Sequence, residues 1–212
     1  MKSRNDRRRI GVSTEVAIAV GFVAMGVVGR LALQSWPNLS PVAGLAIAAG
    51  FLLRSRLLAI AVPSFTMVLS DQMIGGYDLP VMLTVYAALI LPVAWGRLGR
   101  HLTGRTRVSS AWVRAAAAGG WGAASGVFSA ATFFVATNAA WWAFVAPAGT
   151  TLSQSYLQAL PFLRYTLIGD VTIGCFATAL AAVVLATVAA TDREESTATA
   201  SATRGTVIDR TA

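Results

Sequence analysis

The sequence predicts an all-α integral membrane protein, a bundle of about six transmembrane helices. Of its 212 residues, 56% are hydrophobic and only 12% are charged, whereas a soluble domain usually has about 25% charged residues. The apolar residues form long runs that are separated by short basic clusters. A net charge of +8 would suggest nucleic-acid binding in a soluble protein, but this patterning favours a membrane and no nucleic-acid partner. The single cysteine, Cys175, excludes an internal disulfide or a CxxC metal site.

The amino-terminal half contains four predicted crossings. Residues 1–11 form a basic cytoplasmic segment, and the first apolar run extends from Val12 to Leu33. Because the run is long enough to cross and no A-x-A cleavage site follows it, a retained helix is favoured over a signal peptide. The next three runs are 42–53, 57–73 and 79–96. The second run is short and can cross only if it is tilted or shielded by protein, and Pro63 is predicted to kink the third.

The carboxy-terminal half contains two predicted crossings and a polar tail. The fifth run is 115–137, a long connection is predicted over 138–162, and the sixth run is 166–190. The tail, 191–212, is rich in Thr, Ala and Ser without apolar periodicity, so we predict that it is disordered and cytoplasmic. The transmembrane domain is therefore predicted to comprise 12–190.

The basic residues provide a separate test of this topology, because cytoplasmic loops are rich in Lys and Arg. With six crossings and both termini in the cytoplasm, all but two of the 17 Lys and Arg residues lie on the cytoplasmic side. The exceptions, Arg30 and Arg164, lie close to the opposite face. The sequence therefore predicts a multi-pass protein of the cell (plasma or inner) membrane.

Polar residues within or beside the apolar runs gather in the outer half of the predicted bundle. An ionisable group costs about 2.5–3.5 kcal/mol at a helix centre, so such groups persist when they are paired, line a cavity or lie near an interface. The polar set is Arg30, Asn38, Asp71, Asn138, Arg164 and Asp170, with Trp36, Trp141, Trp142 and Tyr156 nearby. One interpretation is a polar pocket open to the outside, with aromatic walls. The other is structural pairing, of Arg30 with Asp71 or Asp170, beneath an ordinary interfacial aromatic belt.

Other features predict less specific roles. Gly122, Gly126 and Ala130 form a small-residue face that suits either packing within the bundle or docking to a partner. Ala17 and Gly21 form a smaller face of this kind. His101 is interpreted as a solvated loop residue, and no GxxxxGK[ST] nucleotide loop is present.

Four separated segments carry a family resemblance. They are WPNLSPVA at 36–43 after Arg30, LSD at 69–71, FFVATNAAW at 133–141, and YLQALPF at 156–162 with Asp170 beyond it. Together they resemble a family of small, uncharacterised bacterial membrane proteins. That family is in turn similar to the substrate-binding S components of energy-coupling-factor vitamin and metal transporters. The resemblance covers roughly 14–190.

This resemblance implies a six-helix bundle that captures a small solute from outside. Such components work with a transmembrane coupling protein and a pair of cytoplasmic ATPases, and no cofactor is implied. The chain lacks the His-rich amino terminus of cobalt and nickel uptake components, which favours a vitamin-like or other organic solute over a metal. The substrate-binding residues expected on this basis are Arg30, Trp36, Asn38, Asp71, Asn138, Trp141, Tyr156 and Asp170.

Three classes of function stay open at this point. The first is the substrate-binding component of an uptake system, in which Arg30 contacts an anionic group of the solute. The second is a structural or accessory membrane protein whose polar cluster fixes the fold. The third is an enzyme that acts on lipid with Asp71 or Asp170 as general base, but neither has a familiar catalytic spacing, so we expect no enzyme activity.

Overall fold

A computed structural model describes residues 11–104 and 110–208. This part of the chain is helical and contains no β-strand. The helical segments are α1 (Val12–Ala32), α2 (Val42–Leu52), α3 (Arg56–Ile74), α4 (Leu79–Ile90), α5 (Pro92–Thr103), α6 (Ala111–Phe144) and α7 (Leu152–Ile208). The predicted all-α fold is confirmed.

Five helical stretches are long and apolar enough to cross a membrane. Helices α4 and α5 count together as one such stretch, Leu79–Thr103. They are divided at Leu91 because Pro92 has no amide N–H to continue the ladder of hydrogen bonds. Pro63 lies inside α3, which continues through it as one helix.

The sixth apolar helix, α2, is the centre of the bundle. Its 11 residues are all buried, and it contacts each of the other six helical segments. Such a helix is about 17 Å long, whereas the hydrocarbon core is about 30 Å thick. The shielding that so short a crossing requires is therefore supplied by the surrounding helices. Because α2 reaches only part of the way, a space is left beyond its amino-terminal end. The connection 33–41 borders this space, and most of its residues are exposed.

The two ends of the bundle differ in charge. Near the start of α1, the buried carboxylate of Glu15 accepts hydrogen bonds from the amides of Arg54 and Ser55, at 3.0 and 3.2 Å. Arg97 and Arg100 donate to the backbone carbonyls of Arg54, just after α2, and of Leu52, the last residue of α2. We call this the basic end. The opposite end, where α1 and α3 finish and α7 begins, is called the cavity end.

The prediction of a long connection over 138–162 is wrong. Helix α6 continues to Phe144 and α7 begins at Leu152, so a linker of 145–151 joins two long helices. The amide of Gln154 donates to Thr151 Oγ1 at 3.2 Å, and Gln154 Oε1 accepts from the amide of Thr151 at 2.8 Å. This capping box is the local signal for a helix start here. Polar and aromatic residues end the apolar run, but they do not end the helix.

Glycines set the closest approaches between helices. A Cβ atom at Gly122 of α6 would lie 2.1 Å from the carbonyl oxygen of Gly174 in α7, and one at Gly126 would lie 2.5 Å from that of Asp170. The small-residue face of α6 therefore packs inside the bundle. Gly21 of α1 has no atom within 4 Å of the position of a Cβ, so its face points away from the bundle.

Helix α7 continues to Ile208. It therefore runs through most of the segment, 191–212, for which the composition predicts disorder, and that prediction stays untested. The basic segment 1–10 and part of the basic loop, 105–109, lie outside the described residues.

Candidate functional site

A cavity of about 530 Å³ occupies the cavity end of the bundle, around the chain that leads into α2. Residues from α1, α3, α4, α6 and α7 line it, together with the connection 33–41. Its polar lining residues include Arg30, Gln34, Asn38, Ser40, Thr137, Asn138, Ser155, Gln158, Thr166 and Asp170. Its apolar lining residues include Leu33, Trp36, Met67, Ile74, Val81, Val85, Leu89, Phe133, Trp141 and Phe162. Such a mixed, concave surface is typical of a site for a small organic molecule.

One wall of the cavity is held by a paired set of polar groups. Arg30 Nη1 donates to Asp71 Oδ1 and to Ser70 Oγ, each at 2.5 Å. The hydroxyl of Tyr86 donates to the other carboxylate oxygen of Asp71 at 2.7 Å. Asp71 does not line the cavity but lies behind Arg30, and its side chain is 5% exposed. Of the two ion-pair partners predicted for Arg30, Asp71 and Asp170, the structure shows Asp71.

Asp170 presents a different environment on the α7 side of the cavity. The residue is 3% exposed, and its Oδ2 atom has no hydrogen-bond partner among the described residues. Leaving a buried polar atom unpaired costs about 1–3 kcal/mol, and more when the group is charged. Because Asp170 also lines the cavity, a molecule bound there could donate a hydrogen bond to its Oδ2 atom.

Helices α6 and α7 bring further polar groups to the same cavity. The side-chain amide of Asn138 donates to the carbonyl of Phe134 at 2.7 Å, and its oxygen accepts no hydrogen bond within the part of the chain that the structure describes. Ser155 donates to the carbonyl of Asn138 at 3.1 Å, which ties the start of α7 to the end of α6. Gln158, one turn further along, also lines the cavity. Sequence reasoning missed Ser155 and Gln158 because it placed them in a loop.

The connection 33–41 forms part of the cavity rim. Asn38 has a backbone φ of 61°, a left-handed conformation that Asn tolerates better than most residues. The ring of Trp36 meets that of Tyr165 edge-on, with centroids 5.8 Å apart. Both Trp36 and Asn38 line the cavity while remaining exposed, so the cavity extends from the surface to the buried carboxyl of Asp170.

Tyr77, in the turn between α3 and α4, also borders the cavity. Partial burial raises the pKa of Tyr77 to about 12, and the nearby carboxylate of Asp71 adds to this effect while Arg30 opposes it. The phenol is therefore protonated at neutral pH and available as a hydrogen-bond donor.

Four of the residues singled out from the sequence lie outside the cavity: Asp71, expected in the site but placed behind Arg30, and three others. Tyr156, expected in the site, instead donates its hydroxyl to the carbonyl of Val135 at 2.8 Å and packs against Phe134. Trp142 is 41% exposed and bonds the carbonyl of Thr150. Arg164 is exposed and stacks over Tyr165. Each of these three fits the interfacial belt, and Tyr156 does not line the cavity because its side chain contacts α6.

The donor set of the cavity suits hydrogen bonding better than metal binding. Within 11–104 and 110–208, no group of three or more His, Cys, Asp or Glu side chains comes together. His101, predicted in a loop, lies instead on the last turn of α5, where it borders a second cavity at the basic end.

Apolar helices around a fully buried central helix, with a mixed cavity at one end, define the chain as a multi-pass helical membrane protein. It belongs to the family of unknown function DUF6580, whose model matches residues 11–193. Neither a curated protein nor a solved structure matches the chain.

Proposed function

We propose that this protein is the substrate-binding component of an uptake system for a small organic solute, which it holds in the cavity at the end of α2. The observation that carries the proposal is the unpaired Oδ2 atom of Asp170, buried beside a cavity of about 530 Å³. A cluster that only stabilised the fold is expected to pair nearly all of its members, charged groups above all. A binding site leaves a polar group for the ligand to satisfy.

The pairing pattern indicates the chemistry of the solute. Asp71 already balances the charge of Arg30, so the uncompensated group of the cavity is the carboxyl of Asp170. The complementary ligand offers an N–H donor or a cationic nitrogen to Asp170. An apolar or aromatic portion of the same molecule would pack against Phe133, Trp141 and Phe162.

The remaining polar groups would orient the solute. Asn138 and Gln158 supply carboxamides, and Tyr77 supplies a phenol donor at the rim. The Arg30 side chain is 17% exposed, so an acceptor group of the solute can approach it without breaking its bond to Asp71. No residue is assigned a covalent or proton-transfer step, so the proposal is one of binding and not of catalysis.

The direction and energy of transport form a further part of the proposal. The cavity end would face outwards and both termini would lie in the cytoplasm of the cell that makes the protein, as the distribution of Lys and Arg favours. A transmembrane coupling protein with cytoplasmic ATPases would then move the solute inwards.

Native mass spectrometry tests the proposal on full-length protein extracted gently from its own host. We expect a retained small molecule in the wild type and its loss in Asp170→Asn. Asp78→Asn is the matched control, because Asp78 is exposed and outside the cavity lining. A wild-type protein with no bound molecule in the mass spectra and no binding from a host metabolite extract would contradict the proposal.

A structural or accessory role is the second candidate. It is favoured by the linked bonds of Arg30, Ser70, Asp71 and Tyr86, which are the pattern expected of a cluster that fixes helix positions. The two candidates differ at Asp170, because a structural role gives no reason for an unpaired buried carboxyl.

A further inference from the structure

A second cavity of about 530 Å³ lies at the basic end, away from the proposed solute site. Its lining residues are Gly50, Arg54, Arg97, Arg100, His101 and Gly104. It is thus bounded by the end of α2, the residues that follow it, and α5. Three of its six lining residues are arginines that come from two separate parts of the chain.

Backbone carbonyls hold two of these arginines in place. Arg100 Nη1 donates to the carbonyl of Leu52 at 3.1 Å, and both terminal nitrogens of Arg97 approach the carbonyl of Arg54 at 3.3 and 3.4 Å. Carbonyls at the end of a helix carry partial negative charge and attract cations. A guanidinium has five N–H groups, so each of these arginines retains donors beyond those bonds.

Among the described residues, no carboxylate forms an ion pair with any of the three guanidinium groups. The ion pair of Arg30 and Asp71, at the other end, is the one that the described residues contain. Glu15, whose charge acts on Arg100, accepts its hydrogen bonds from the amides of Arg54 and Ser55 and not from a guanidinium group. Like charges held around one cavity repel one another, and an anion placed among them relieves that repulsion.

We propose that this basic cavity binds a phosphate group, either the headgroup of an anionic lipid or the phosphate of a free solute. Guanidinium groups match phosphate oxygens through paired N–H donors, and basic cavities between membrane helices suit anionic headgroups. Membrane orientation by itself requires positive charge on one side of the bilayer, but it does not require three arginines to converge on one cavity.

Arg54 and Arg56 form a matched pair for the experiment. Both are exposed arginines, two residues apart, but only Arg54 lines the cavity. The Arg54 side chain makes no hydrogen bond among the described residues; its backbone N–H and C=O make the contacts. Arg54→Gln and Arg56→Gln therefore remove equal charge without disturbing a side-chain bond. The double variant Arg97→Gln with Arg100→Gln removes two of the three lining arginines and should weaken binding of the phosphate group more than Arg54→Gln does.

Two probes distinguish the sources of the phosphate. The full-length protein in nanodiscs of phosphatidylcholine with phosphatidylglycerol reports retained anionic lipid by native mass spectrometry. The protein in neutral detergent, without lipid, is titrated with inorganic phosphate in a thermal-shift assay. We expect Arg54→Gln to weaken binding of one probe about fivefold, which corresponds to about 1 kcal/mol for one arginine. Arg56→Gln should change it less than twofold.

Each result has a definite meaning. Selective retention of phosphatidylglycerol that Arg54→Gln weakens supports a lipid site, and stabilisation by inorganic phosphate that it weakens supports a site for a free phosphate compound. Equal effects of Arg54→Gln and Arg56→Gln would overturn the proposal, because the attraction of the probe would then be a general property of the positively charged basic end. If the wild-type protein binds neither phosphatidylglycerol nor inorganic phosphate, the proposal is also overturned.

Discussion

Asp170 is the residue whose environment most strongly separates a binding role from a structural one. It is 3% exposed and borders a cavity, but its Oδ2 atom accepts no hydrogen bond among the described residues. Residues held in a costly state often serve function at the expense of stability. Asp71, in contrast, is buried and paired, so substitutions of the two aspartates should affect stability in opposite directions.

We predict that Asp170→Asn leaves the solute-free protein at least as stable as the wild type, with a gain of up to about 1 kcal/mol, because burying an amide costs less than burying a carboxylate. The same variant should bind the solute at least about tenfold more weakly, since it loses the carboxylate charge and replaces one of two acceptor oxygens with an N–H donor. Thermal unfolding in detergent measures the first effect. A marked loss of stability would show that Asp170 has a structural partner and would count against the solute site.

Asp71→Asn is predicted to have the opposite effect on stability. It leaves the partly buried side chain of Arg30 without its counter-charge, and breaking a buried pair costs about 3 kcal/mol. Tyr86→Phe removes one hydrogen bond to the same carboxylate and should cost less, about 1.5 kcal/mol. Unfolding midpoints of the two variants, compared with Asp78→Asn, test this order. Equal midpoints for Asp71→Asn and the wild type would mean that the pair contributes little.

At the scale of elements, the contact of α6 and α7 depends on the absence of side chains at two positions. The carbonyl oxygens of Gly174 and Asp170 lie where Cβ atoms at Gly122 and Gly126 would be. Because the same contact carries Asp170 on α7 and Asn138 on α6, it also determines the shape of the cavity. Asn138 and Trp141 are positioned by α6 continuing past the predicted end of its apolar run.

We predict that Gly122→Ala forces α6 and α7 apart and destabilises the protein by at least about 2 kcal/mol, as overpacking does elsewhere. Gly120→Ala is the control on the same helix, where a Cβ would meet no atom within 4 Å. It should be neutral or stabilising, because alanine favours a helix by about 1 kcal/mol over glycine. Fluorescence-detected size-exclusion chromatography after heating compares the two. Similar losses from both would contradict the packing described for α6 and α7.

The capping box at the start of α7 gives a smaller effect. Thr151→Ala removes the hydroxyl that accepts the amide of Gln154, and loss of such a cap costs about 1 kcal/mol. Thr151→Ser keeps the hydroxyl and should retain most of the stability. A loss from the serine variant as large as that from alanine would mean that the cap does not hold this helix start.

At the scale of the whole molecule, the asymmetry of charge predicts how the protein sits in its membrane. In a Cys175→Ala background, a cysteine introduced at Gly76, in the exposed turn at the cavity end, should react with a membrane-impermeant maleimide on whole cells. A cysteine introduced at Ser110, beside the basic loop, should react only after the cells are opened. The reverse pattern would place the cavity on the cytoplasmic side and contradict uptake from outside.

The sequence by itself determined the class of fold and most of the candidate site. Composition and the lengths of the apolar runs are enough to predict a membrane bundle, because the thickness of the bilayer sets the length of apolar chain that a crossing needs. The clustering of Arg30, Asn38, Asn138, Trp141 and Asp170 towards one end followed from their order along crossings of alternating direction. These five line one cavity, with Trp36 beside them at the rim.

Only the tertiary structure decided which polar groups pair and which remain free. Rotation of a largely apolar helix is poorly determined by its sequence, since nearly every face is suited to lipid or to protein. The sequence could not therefore choose between Asp71 and Asp170 as the partner of Arg30, nor show that Tyr156 faces α6. It also could not reveal that Arg54, Arg97 and Arg100 converge, because their meeting depends on how α2 packs against α5. The glycines at these contacts, Gly50 and Gly96, bring the two helix backbones together.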